Sequence, residues 1–176
     1  MTDISQAFIE QSRKLLIDSY LPRIEQAVHG LATENVWWRA NDQSNSIGNL
    51  ILHLDGNVRQ WIVSGIGGAS DVRTRQQEFD QRDGWSGPDL TPRLRGTIEE
   101  ADAVLAKVDP ATLLEPRRIQ SYDITVMRAI YAAVEHFSMH TGQIILLAKM
   151  WKGDLGLYDL SQGEPRPTWS GGVAGH

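Results

Sequence analysis

The chain contains no cysteine among its 176 residues. Disulfides, thiolate metal ligands and a protein-borne thiol nucleophile are therefore excluded, and the composition fits a reducing compartment. Long hydrophobic runs are also missing. The longest apolar stretch, GQIILLAKMW, falls far short of the ~20 residues that a membrane-spanning helix needs. A basic excess is missing too: Lys and Arg total 17 against 22 Asp and Glu, a formal charge of −5. Without a basic surface to displace counterions, sequence-independent nucleic-acid binding is a poor fit. The opening MTDISQAFIE places acids where a secretory signal has a positive flank. These absences lead us to expect a soluble, cytoplasmic protein that engages neither membrane nor nucleic acid.

What is present suits one helical domain over residues 1–176, since 41% of the residues are hydrophobic. Four segments carry apolar residues at helical spacing. The first runs from about Ile4 to His29, with Phe8, Leu15, Leu16, Ile24 and Val28 facing the core and Pro22 expected to break or kink it. The second runs from about Ile47 to Ile66 behind the capping run NDQSNS. The third is expected to start at TPRL, with Thr91 as cap and Pro92 at the first helical position. The fourth runs from about Thr125 to Trp151 and closes on KMWKGD, lysines followed by glycine. Together they predict an all-α four-helix bundle with a long loop, Gly67 to Leu90, after the second helix. A short extended segment is expected within LLEPRRIQSYDIT, and an irregular tail from about residue 153.

The fourth helix carries EHFSMHTGQIILLA. At ~100° per residue, with Ala129 as zero, His136 falls at about −20° and His140 at ~20°. Both sit in the middle of the buried stripe, one turn apart, where two imidazoles can converge. On the second helix His53 and Asn57 lie at one edge of the apolar stripe, where a neighbouring helix meets them. Three neutral imidazoles from two helices would hold a transition metal such as zinc, nickel, copper or iron, with zinc or nickel foremost, and would leave a coordination position open. The competing reading makes each histidine a core residue bonded to hydroxyl or backbone groups. The arrangement is not HExxH: Phe137 occupies the glutamate position, and Glu135 points away from the stripe.

These residues, together with WWRANDQSNSIGNLILHLDGNVRQWI, VRTRQQEFD and HFSMHTGQI, make the chain resemble the DinB-like superfamily of four-helix bundles. The resemblance covers most of the chain up to about Trp151. It implies that His53, His136 and His140 match the superfamily's metal-binding triad. It also implies an activity like that of the characterised relatives, which are transferases or an isomerase using low-molecular-weight thiols, and frequent homodimers. The tail EPRPTWSGGVAGH matches nothing that would name a substrate.

Around the triad, Asn57 is a candidate for orienting a substrate or a catalytic water, with a plain interhelical amide as the alternative. Gln143 could act similarly, though a structural role is favoured. Arg73, Arg75, Glu78 and Phe79 lie in the long loop, where arginine forks could anchor an anionic thiol. A solvated loop or a dimer contact is the favoured reading. Asn45 and Ser46 are explained by capping, and Trp37, Trp38 and Trp61 are read as core rather than pocket wall. His29 has no partner at ligand spacing, and His176 is a distant candidate for a fourth ligand. The functional expectation is a metal-dependent enzyme passing a low-molecular-weight thiol to an electrophilic small-molecule substrate. The alternatives are a non-catalytic, dimerising metal-binding stress-response bundle and a metal-dependent hydrolase.

Overall fold

In a computed structural model, which describes residues 3–169, four long helical rods pack side by side. The first is α1 (Ile4–Lys14), a π-helical turn (Leu15–Tyr20) and α2 (Leu21–Val28) in unbroken succession. The second, entered through the short α3 (Thr33–Trp37), is α4 (Ile47–Val58) continued by a π-helical turn at Arg59–Ser64. After α5 (Arg75–Asp80) come the third rod, α6 (Gly87–Leu105), and the fourth, α7 (Val126–Lys152). Leu21, Ile24, Leu54, Ile62, Leu90, Leu94, Ile98 and Phe137 are fully buried between them. The expected all-α bundle is what the chain forms. No helix among the described residues is long and apolar enough to cross a membrane.

Three local expectations are corrected by local physics. Pro22 does not break the first rod. The π turn just before it shifts the hydrogen-bond register, with the Leu21 amide reaching back to Leu16 O, and Pro22 sits where the resumed α-helix needs no amide donor. The third rod starts earlier than TPRL. Ser86 and Asp89 form a capping box, Pro88 takes the early position, and Pro92 lies inside the helix at the loss of one ladder bond. Thr91 therefore caps nothing; its hydroxyl donates to Gly87 O. The tail is not wholly irregular. Strands β3 (Tyr158–Asp159) and β4 (Arg166–Pro167) pair, and Leu155, Leu157 and Trp169 are buried. Trp169 lies under the Arg23 guanidinium at 4.3 Å, and Gln26 donates to Leu155 O and Gly156 O.

The extended segment between the last two rods is a hairpin, β1 (Pro116–Ile119) with β2 (Tyr122–Thr125). Thr125 then caps α7 by accepting from the Arg128 amide. The expected cap of α4 forms as well: Ser46 accepts from the Asn49 amide while the Asn49 side chain accepts from the Ser46 amide. Asn49 has a second task. Its Nδ2 donates to Glu78 O at 2.8 Å and Gln81 O at 2.9 Å, and Arg39 adds a bond to Phe79 O at 2.9 Å. The long connection is thus not an open loop. Its helix α5 is pinned by its backbone carbonyls against the start of α4.

Candidate metal centre

Helix α4 supplies His53, and α7 supplies His136 and His140 one turn apart. Packing of α4 on α7 brings one ring nitrogen of each within 4.8 Å of the others. The rings stand nearly edge-on, with centroids 4.4 Å apart for His136–His140, 4.9 Å for His53–His136 and 5.2 Å for His53–His140. The Nε2 atoms of His53 and His136 face each other at 2.9 Å. Nitrogens sharing a tetrahedral ion stand about 3.3 Å apart, so a shift of a few tenths of an ångström suits them to one.

The outward nitrogens decide the tautomers. Glu78 Oε2 lies 2.8 Å from His53 Nδ1, and Gln143 Oε1 lies 2.6 Å from His140 Nδ1. A carboxylate or amide oxygen accepts a hydrogen bond from Nδ1–H, which leaves the lone pair on Nε2, directed inward. Arg73 Nη2 also lies 3.1 Å from His53 Nδ1. A guanidinium cannot donate to an N–H, so the shorter contact with Glu78 sets the tautomer.

Glu78 is itself held by a fork. Arg73 Nε donates to Oε1 at 2.7 Å and Nη2 to Oε2 at 2.8 Å, with the Arg73 and Glu78 side chains only 6% and 11% exposed. Burial pushes the Glu78 carboxyl up, but the hydrogen bonds from Arg73 and His53, joined by their charges, hold it below its usual range. His136 is pulled down to about 4, first by burial, then by His140 and His53 and the charges of Arg73 and Arg75. His140 is lowered by burial against an opposing bond from Gln143. At neutral pH His136 and His140 are therefore uncharged and Glu78 is ionised, the protonation states that metal ligation requires. Nitrogen donors with hydrogen-bonded outer partners fit a divalent transition ion such as zinc or nickel.

Two of the three histidines form part of the wall of an open cleft of about 390 Å³. His53 and His136 meet it, together with Asn57, Trp61, Arg73, Arg75 and residues of the β1–β2 hairpin.

The model of a family described as "Protein of unknown function (DUF1572)" matches residues 3–157, a span holding all three histidines, Arg73 and Glu78. The chain belongs to the DUF1572 family. The strands β3 and β4 of this DUF1572 chain lie beyond the matched span. Its structure is similar to the crystal structure of a DinB-like protein from Bacillus cereus, with a TM-score of 0.60 and 15% identity over 76% of this chain and 86% of that one. The expected DinB-like fold is thereby borne out. None of the curated proteins compared with the DUF1572 chain matches it.

The structure gathers His53, His136 and His140 as spacing suggested, and it sorts the remaining candidates. Asn57 is nine-tenths buried, lines the cleft, and its Oδ1 has no hydrogen-bond partner among the described residues. Gln143 bonds the outer nitrogen of His140. Arg73 is committed to Glu78 and also donates to Gln60 Oε1 at 2.8 Å. The solvated-loop reading of Arg73 and Glu78 is overturned, because pinning α5 to α4 turns both side chains inward. Trp37 is core, as expected, and donates to Trp85 O. Trp38 stacks edge-on against Trp151 at 5.4 Å. Trp61 differs from expectation: it is half-buried on the cleft wall. The His29 carbonyl accepts from Lys152, and its ring has no ligand partner among the described residues. His176 lies outside the described residues. Sequence reasoning placed Glu78 in a peripheral role, and the only local signal for it was an Arg–Glu spacing of five, which is common in loops.

Proposed function

We propose that the chain is a metal-dependent enzyme in which His53, His136 and His140 hold a divalent ion and a low-molecular-weight thiol is transferred to an electrophilic small molecule in the adjoining cleft. The observation that carries this reading is three imidazoles whose ring nitrogens converge, two of them fixed in tautomer by Glu78 and Gln143, beside an open cleft. When bound, such an ion lowers the pKa of a coordinated thiol and supplies a thiolate at neutral pH. The chain has no cysteine, so the sulfur nucleophile enters from outside. Among the described residues no free carboxylate lines the cleft to act as base, so the thiol proton leaves to water. The sulfur–carbon bond forms as the leaving group of the electrophile departs with its electron pair.

The chain's own residues do the positioning. Glu78, gripped by Arg73, keeps the His53 lone pair inward. Gln143 does so for His140, and Phe79 packs on the His53 ring at a centroid distance of 4.7 Å. His136→Ala tests the reading. Metal content of untagged protein and thiol conjugation to a panel of electrophiles should both collapse, and retention of both would end it.

One observation favours a second reading, a dimerising metal-binding bundle without catalysis. Tyr131, Met139, Leu146 and Met150 are exposed along one side of α7, which suits a second copy of the chain. Turnover of any thiol and electrophile pair by metal-loaded protein rules out the non-catalytic reading.

A further inference from the structure

The cleft beside the histidines has a chemistry that the metal does not explain. Arg73, Arg75 and Arg128 line it, and no Asp or Glu among the described residues does, in a chain whose formal charge is −5. Arg73 is neutralised by Glu78. Arg75 and Arg128 are paired with no carboxylate among the described residues; Arg75 lies over the Phe79 ring at 4.7 Å. Two unpaired cations at the mouth of one cleft form a site for an oxyanion.

Two further features shape that site. Trp61 and Tyr122 approach to a centroid distance of 6.3 Å on the wall, and Tyr122 is 56% exposed. They offer an apolar, aromatic surface. Deeper in, Asn57 Oδ1 is a buried acceptor with no partner among the described residues, one helical turn beyond His53. A buried amide oxygen left unbonded is costly, so a ligand N–H or O–H belongs there.

The hairpin that carries Tyr122 is held in place from its turn. Gln120 is the one described non-glycine residue with positive φ, at 55°. Glycine would adopt that conformation without penalty. Gln120 instead bonds Gln60 with its side chain, and Gln60 also accepts from Arg73. The strained residue thus ties the hairpin, and Tyr122 with it, to the network behind His53. The positive φ of Gln120 is what a two-residue hairpin turn requires at its first position.

We propose that this cleft binds an amphiphilic small-molecule oxyanion: an acid group held by Arg75 and Arg128, an apolar body against Trp61 and Tyr122, and an N–H or O–H donated to Asn57 Oδ1. The inference deepens the enzymatic reading by naming the class of molecule that enters the site, but the arginines hold the anion without the metal. A carboxylate and a phosphate share this chemistry.

The test uses the full chain and three probes: N-acetylphenylalanine, its neutral amide, and phenyl phosphate, titrated by calorimetry before and after chelation. An acid probe should bind about tenfold more tightly than the amide. The better of the two acids identifies the anion. The paired substitution Arg75→Gln with Arg128→Gln should erase the preference while leaving amide binding unchanged. Asn57→Leu should weaken N-acetylphenylalanine and its amide alike. Thermal melts of each variant confirm folding. Equal binding of acids and amide by the wild type, an unaltered preference in the arginine variant, or no binding of any probe overturns the proposal. So does a preference that vanishes with chelation, since the anion would then belong to the metal. Preference retained in a protein that binds no metal sinks the thiol-transfer reading and leaves this one standing.

Discussion

Replacing Glu78 by Gln is the sharpest test of how the centre is built. The substitution keeps the shape of the side chain and removes its charge. In the wild type that carboxylate accepts from His53 Nδ1 at 2.8 Å and from Arg73 Nε and Nη2 at 2.7 and 2.8 Å. Glutamine has one carbonyl oxygen to offer, so at least one of these donors faces an amide N–H instead. Arg73, with a side chain 6% exposed, is left as a buried charge without a counter-ion. Stranding a buried charge costs about 3 kcal/mol, which lowers Tm by about 6–12 °C in a chain of this length. Loss of the outer partner of His53 should weaken metal binding about ten- to a hundredfold. Thermal melts of metal-free protein read the first effect, and competition with a chromophoric chelator reads the second. Arg73→Met added to Glu78→Gln separates them. With both charges gone, stability should return to within about 1 kcal/mol of wild type, whereas metal affinity should stay low because His53 still lacks its carboxylate. A Glu78→Gln chain with wild-type Tm and wild-type metal affinity would refute the reasoning. A double variant no more stable than the single one would refute the ion-pair half of it.

Three further outcomes are expected. Gly56→Ala would ordinarily gain about 1 kcal/mol of helix propensity. Here the added methyl group would fall onto Glu78 Oε1, and within 2.9 Å of Arg73 Nε, so a net destabilisation of at least about 1 kcal/mol and weaker metal binding should appear in the same two assays; a more stable variant with intact metal binding would show that the fork has slack. For pH, His136 in the folded chain titrates at about 4 against an ordinary 6.5, so the unfolded chain binds more protons between those values. Metal-free protein should therefore keep its full His136 contribution above pH 6.5, lose it as the pH falls toward 4, and show a flatter Tm profile over that window as His136→Ala; Glu78, also lowered, adds its loss only below about pH 4.5. Finally, if the exposed face of α7 joins two copies, Leu146→Glu should convert dimer to monomer in light scattering, and a wild-type chain already monomeric at high concentration would exclude that interface.

Helical periodicity alone determined the four rods and the alignment of His136 with His140, because the side-chain directions of a helix follow from its constant turn per residue. Ser46 as the cap of α4 was legible for the same local reason, and the absence of cysteine already required any sulfur nucleophile to come from outside. Other local signals misled: TPRL looked like a helix start because Thr91 and Pro92 match a cap and a first helical position, but the capping box of Ser86 and Asp89, six and three residues before Pro92, starts the helix earlier. What only the tertiary structure decided is the outer layer of the centre. Glu78 is 25 residues from His53, in a connection with no period to give its side chain a direction. Its place depends on Asn49 and Arg39 binding the carbonyls of α5 and on a glycine at position 56 that lets the carboxylate approach α4. Partners that far apart in sequence meet only when the helices have packed, and the same packing placed Trp61 on the cleft wall and left Arg75 and Arg128 lining it with no carboxylate partner among the described residues.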